Sequence, residues 1–230
     1  MTPRKRVAVL ASGGGSNLQA LIDHLAARGE RRAADVALVV AGREEAGALA
    51  RARRAGIAAA TCSAAGLAPL LGTHAIDLVV LAGYLAFVPD DVTGQWAGRI
   101  VNVHPALLPS FGGHGLYGAR VHRAVLAAGA RVTGATVHFV DAVYDRGPII
   151  AQWPVPVADG DTAESLAARV LRVEHLLLPR AVDALARGAV TLGDDGRVRG
   201  GRSTSADSTF SLHLPDDATI ATQIDTLFQN

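Results

Sequence analysis

Three polar residues in the middle of the chain have the types and spacing of an acyl-transfer site: Asn102, His104 and Asp145. The first two lie in Ile100-Val101-Asn102-Val103-His104-Pro105. In a strand, residues i and i+2 share a face, so Asn102 and His104 point one way and Val101 and Val103 the other. Pro105 cannot continue a central ladder, so the strand ends beside the histidine. An amide donor and an imidazole then sit at a strand's carboxyl end, where open α/β sheets bind ligands. Asp145 follows a second apolar strand, Thr136-Val137-His138-Phe139-Val140, in a loop that closes at Gly147-Pro148. An amide, an imidazole and a carboxylate could stabilise an oxyanion and move a proton, provided the fold returns Asp145 to His104. A carboxylate there is expected to lift the histidine above its unperturbed pKa of about 6.5. His138 faces opposite to Val137 and Phe139, and either orients the site or packs. His122, in a short helix beside a glycine-rich loop, is either a surface residue or part of the site.

These residues need a scaffold, and the chain before them supplies one. Arg6 to Ser12 is short, β-branched and nearly all apolar, as a central parallel strand should be. Gly13-Gly14-Gly15-Ser16-Asn17 follows, and then a helical pattern from Leu18. Strand, glycine loop and helix make a phosphate-cradle layout, in which the first free N–H groups of the helix donate to the anion. The alternative is a tight turn that holds no ligand. Neither the Walker loop nor the third glycine of the dinucleotide fingerprint is present. Strands and helices then alternate through residue 104, which predicts a doubly wound, mostly parallel sheet. Arg131 to Val140 and Ile149 to Val157 are expected to form an antiparallel pair. Gly83 to Pro89 leaves the sheet as an apolar loop that suits either core packing or a flat aromatic ligand. Thr162 to Arg187 reads as one long helix, kinked or split by Pro179. Residues 1–199 are expected to form the domain, and 200–230 a polar, flexible tail with too few apolar residues for a core of its own.

The bulk numbers remove several function classes. Twenty-two Lys and Arg against 21 Asp and Glu leave a net charge of +1, which gives no electrostatic case for a nucleic-acid partner. No apolar run is long enough to span a membrane. One cysteine excludes an internal disulfide framework and fits a reducing, cytoplasmic setting. No cysteine or histidine cluster has zinc-ligand spacing, so no metal is expected.

Taken together, these segments carry a resemblance. Leu10 to Gln19, Asn102-Val103-His104-Pro105-Ala106-Leu107-Leu108-Pro109-Ser110, Val137 to Val140 with Asp145, and Glu174-His175 resemble the phosphoribosylglycinamide formyltransferase family of purine synthesis. The resemblance spans roughly residues 6 to 193. It implies a Rossmann-like fold and formyl transfer from 10-formyltetrahydrofolate, a co-substrate, to the amine of 5'-phosphoribosylglycinamide. Asn102, His104 and Asp145 would be catalytic, with His138 and His122 in support. Gly14, Gly15, Ser16 and Asn17 would hold the substrate phosphate, and Glu174 its ribose. Leu85, Ala86, Phe87, Val88, Ile100, Asn102, Asp141 and Ala142 would bind the folate. The partners it implies are these two small molecules, with the chain a monomer or homodimer.

Overall fold

A computed structural model of the chain describes residues 3–200 and 215–228. The chain divides into two compact units. The first comprises Met1–Asn102 with Phe139–Ala142. Along it run β1 (Lys5–Leu10), α1 (Ser16–Ala27), β2 (Ala34–Ala41), α2 (Gly47–Arg54), β3 (Ala58–Thr61), α3 (Leu67–Thr73), β4 (Leu78–Leu81), α4 (Asp90–Gln95) and β5 (Ile100–His104), the last crossing into the second unit. The strands lie in the order β3-β2-β1-β4-β5, all parallel. The chain steps outward from β1 to β3, then returns to place β4 on the other side of β1. That reversal is the switch point at which doubly wound sheets open a crevice beyond their strand ends.

The strand sequences follow from this position. Val7, Ala8, Val9 and Leu10 are fully buried, so β1 is a continuous apolar run rather than an alternating one. Leu10 and Leu81 share one core cluster with Val88, Val92, Trp96 and Ile100. The Trp96 indole N–H reaches the Ile76 carbonyl at 2.9 Å, which satisfies the one polar atom that ring buries.

The second unit comprises Val103–His138 with Val143–Asn230. It holds α5 (Ala119–Ala127), most of β6 (Val132–Phe139), β7 (Ile149–Pro156), α6 (Ala163–Ala186), the two-residue strands β8 (Thr191–Leu192) and β9 (Val198–Arg199), and α7 (Asp217–Leu227). β6 and β7 pair antiparallel, with a register shift between Val137 and His138, and extend the strand order to β3-β2-β1-β4-β5-β6-β7. The sheet is thus mostly parallel with an antiparallel pair, as the sequence led us to expect. Gly134 has a packing reason: a Cβ there would overlap the Trp153 carbonyl and stand 3.0 Å from Leu107 Cγ. Among the described residues, no helix is long and apolar enough to cross a membrane.

Two helices differ from the sequence reading. α6 runs unbroken through Pro179, because Leu177, Leu178, Ala181 and Val182 on either side of it are all fully buried. That burial outweighs the hydrogen bond the proline removes. α7 replaces part of the loosely packed tail. Its Ile220 and Ile224 are fully buried, Asp216 caps it at Thr219 N (2.7 Å), and Arg172 and Arg180 of α6 pair with its Asp217 and Asp225. The stripe Ile220, Ile224, Leu227 is one helical face, so this segment needs no core of its own. The glycine- and serine-rich stretch Gly200 to Ser208, which reads as a linker, lies outside the described residues beyond Gly200.

Candidate functional site

The second unit brings Asp145 back to the histidine. Asp145 Oδ2 lies 3.5 Å from His104 Nδ1, and Oδ1 lies 3.6 Å from His138 Nε2. The Gly113 N–H donates to Oδ2 at 2.9 Å. The carboxylate therefore sits between two imidazoles, at ion-pair rather than short hydrogen-bond distance. The His104 and His138 side chains are buried, with relative exposures of 4% and 2%, and Asp145 is largely shielded at 11%. Strand alternation supplies both histidines, from β5 and β6. A tight turn supplies the aspartate, whose φ of 53° is a left-handed conformation that Asp tolerates better than most residues.

A backbone group completes the cluster. His104 Nε2 lies 2.9 Å from the Phe111 carbonyl oxygen. A carbonyl only accepts, so Nε2 carries a proton and donates it. In the neutral ring, Nδ1 is then the basic nitrogen, and it faces Asp145. The next residue, Gly112, is closely packed: a Cβ there would have to displace the end of the Leu108 side chain and would stand 3.1 Å from Asp145 Cβ. The sequence reading missed Phe111, Gly112 and Gly113. Their only signal was the Phe-Gly-Gly run itself.

Electrostatics correct one expectation. Burial is the largest influence on His104 and pushes its pKa below 6.5. Asp145 and the Phe111 carbonyl oppose this but do not reverse it. The expected upward shift treated the carboxylate as the dominant neighbour, whereas removal from water outweighs it. For Asp145, burial acts upward, but His138, the His104 charge and the Gly113 N–H together hold the carboxyl below its ordinary value. His122 on α5 is 3% exposed, and its Nδ1 has no hydrogen-bond partner among the described residues. Burial and then the His104 charge lower its pKa too.

These shifts share a sign. Each group binds protons less readily folded than unfolded, so stability is lost as pH falls from the ordinary pKa toward the folded one. For the two histidines that window opens at 6.5, and for Asp145 at 3.8. The Tm is therefore expected to decline as pH drops below about 6.5. The decline should be shallower in His122→Leu, which removes a buried titratable ring. A wild-type Tm that holds level down to pH 5 would contradict this.

The other candidates fall in separate places. In the first unit, Gly14 is exposed, Gly15 and Ser16 are half-buried, and Asn17 is buried in the first turn of α1. Gly15 has a φ of 74°, and a Cβ on it would stand 2.8 Å from Ala48 Cα. At the carboxyl end of β4, Ser12 N–H donates to the Gly83 carbonyl (3.0 Å), and Leu85 N–H donates to Ser12 Oγ (2.9 Å). The loop after β4 is thereby tied to the glycine loop at the switch point. Leu85, Ala86 and Phe87 are exposed, as are Asp141 and Ala142, whereas Val88 and Ile100 belong to the core cluster. Asn102 is half-buried on β5, two residues before His104. Glu174 is buried on α6 of the second unit, next to His175. Among the described residues, no group of three His, Cys, Asp or Glu is arranged to hold a metal ion.

A doubly wound α/β fold, a glycine loop after the first strand and a buried His–Asp–His cluster define the class. The formyl transferase family profile matches residues 5–182. The chain belongs to the formyl transferase family. It is 43% identical over 203 residues to the chloroplastic phosphoribosylglycinamide formyltransferase of Vigna unguiculata, covering 84% of this chain and 64% of that protein. It is 40% identical over 207 residues to the trifunctional purine biosynthetic protein adenosine-3 of Bos taurus, covering 85% of this chain and 20% of that one. The chain thus spans just under two thirds of the plant relative and a fifth of the cattle one. Among solved structures it superimposes on glycinamide ribonucleotide transformylase 1 from Symbiobacterium toebii with a TM-score of 0.79 and 40% identity, covering 86% of this chain and 95% of that one.

Proposed function

We propose that this chain transfers the formyl group of 10-formyltetrahydrofolate to the amine of 5'-phosphoribosylglycinamide, in de novo purine (IMP) biosynthesis. The reading rests above all on the buried His104–Asp145–His138 cluster, found in a family member whose relatives bear that activity in their names. Its setting would be the cytoplasm, consistent with the single free cysteine, Cys62, and it would act as a monomer or homodimer.

The roles follow from the charges. The amine nitrogen attacks the formyl carbon, and the carbonyl electron pair moves to oxygen, giving a tetrahedral alkoxide. Asn102 donates an N–H to that oxygen. His104 rests neutral, because burial outweighs its carboxylate neighbour. Negative charge appearing on the intermediate raises its proton affinity when a proton must leave the attacking amine. Nδ1 receives that proton, and Asp145 balances the imidazolium. The proton then passes to N10 of the folate as the carbon–N10 bond breaks. No covalent bond to the protein forms. Gly14 to Asn17 would hold the phosphate and Glu174 the ribose.

An assay with both substrates tests the reading. Formylated ribonucleotide and tetrahydrofolate should form in equal amounts, and neither without the amine. Release of formate from the folate alone would identify a hydrolase instead.

The exposed Leu85 offers a test of the folate site that does not disturb the core, as a change at the buried Val88 would. If the pterin covers its half-exposed side chain, Leu85→Ser should forfeit roughly 1–2 kcal/mol of apolar contact. That raises the folate KM about 5- to 30-fold. The ribonucleotide KM should stay level, and an unchanged folate KM would remove Leu85 from the site.

A further inference from the structure

We propose that Arg51 is a positioning residue that fixes the glycine loop in its phosphate-binding shape. This rests on reading Gly13 to Asn17 as the phosphate cradle. α2 holds the loop from behind at two successive carbonyls. The Ala48 N–H donates to Gly13 O at 3.1 Å, and the Arg51 guanidinium Nε donates to Gly14 O at 2.7 Å. The second bond is charge-assisted and is the shorter of the two. Arg51 Nη1 also reaches Gln19 Oε1 on α1 at 3.2 Å, and Gln19 Nε2 in turn donates to Asp23 Oδ1 at 2.9 Å. One side chain thus joins the loop to both helices that flank it.

The consequence is geometric. In a trans peptide the N–H of each residue points opposite to the carbonyl before it. With the Gly13 and Gly14 carbonyls drawn toward α2, the N–H groups of Gly14 and Gly15 are turned away from it. The loop is not packed over: Gly13 and Gly14 are exposed, and a Cβ added at either meets nothing within 4 Å. Successive N–H groups aimed at open space, followed by the first turn of α1, form an anion-binding nest. Three consecutive glycines would not hold this shape unaided, because each has broad freedom in φ and ψ. Arg51 supplies the constraint and adds positive charge behind the nest.

The test compares 5'-phosphoribosylglycinamide with the riboside that lacks its phosphate. For wild type, Arg51→Met, Arg51→Lys and Gln19→Ala, the ratio of kcat/KM between the two acceptors is measured, together with the folate KM and the Tm. Wild type should strongly favour the phosphorylated acceptor. In Arg51→Met that ratio should fall about 10- to 100-fold, through KM more than kcat, with the folate KM within about twofold. Arg51→Lys keeps one donor and the charge, and should recover part of the loss. Gln19→Ala should show a smaller drop in the same direction, and it decides the matter if Arg51→Met fails to fold. A wild-type preference that survives intact in Arg51→Met, or that survives in Gln19→Ala when Arg51→Met is unfolded, overturns the role of Arg51 alone. A wild type without preference overturns the phosphate reading and this proposal with it.

Discussion

Asp145→Asn is expected to lower kcat by roughly 10²- to 10⁴-fold while leaving both KM values nearly unchanged. The substitution keeps the side chain's shape and suits the backbone, since Asn also tolerates the left-handed conformation at φ 53°. It also retains an oxygen that can accept the Gly113 N–H, now made at 2.9 Å. What it removes is the negative charge 3.5 Å from His104 Nδ1. That charge opposes the effect of burial on His104, so its loss should push the histidine's pKa further down. With neutral His104 as the competent form, wild-type activity should fall on the acid side, as pH drops through a His104 pKa that lies below 6.5. In Asp145→Asn the same fall should move to lower pH. NMR titration of His104 in both proteins, beside the pH–rate profiles, measures the two effects separately. A near-normal rate with an unmoved histidine pKa would take Asp145 out of the mechanism. Activity that rises as pH is lowered below 6 would mean that the imidazolium is the working form.

The sequence carried most of the scaffold because the relevant strands are extreme cases. β1 and β4 are buried on both faces, so each is an apolar run bounded by polar residues or glycine. Asn102 and His104 were legible as a pair, because strand alternation depends only on local geometry. Asp145 was not legible in the same sense. It lies 41 residues beyond His104, and their meeting depends on β6 and on the turn after it. The resemblance supplied that pairing, and the coordinates supply its physical basis. The Phe111 carbonyl and Gly113 N–H left no mark because they are backbone groups, which every residue there would have. The direction of the His104 shift was misjudged for a related reason: a sequence shows which charges are near but not how much water is excluded. Arg51 was hidden among its neighbours, since Gly47–Arg54 reads Gly-Ala-Leu-Ala-Arg-Ala-Arg-Arg and nothing in that pattern marks the arginine that turns toward the loop. α7 was overlooked because the polar stretch before it set the reading of everything after residue 200.

α7 makes the second large effect, and it falls on stability rather than chemistry. Ile220 and Ile224 are fully buried, and Leu227 and Phe228 are 6% and 4% exposed. Removing two buried isoleucine side chains in Ile220→Ala/Ile224→Ala should cost roughly 4–10 kcal/mol, since each such truncation loses transfer energy and leaves a cavity. For a chain of this size, each kcal/mol shifts the Tm by about 2–4 °C, so a drop of roughly 8–40 °C is expected. The ion pairs to α6 compete for the credit, and exposure decides against the Arg172–Asp217 pair. Arg172 and Asp217 have side-chain exposures of 49% and 58%, which places that pair among surface bridges worth about 0–1 kcal/mol. Arg172→Ala should therefore move the Tm by at most about 4 °C. A chain ending at Gly200 should behave like the double variant or worse, because the apolar face of α6 that α7 covers would meet water. Thermal melts of the three proteins distinguish the cases. A truncated chain that melts with wild type would show that α7 contributes nothing to the fold, whereas a large drop in Arg172→Ala with a small one in the double variant would transfer the stabilisation from the isoleucines to the ion pair.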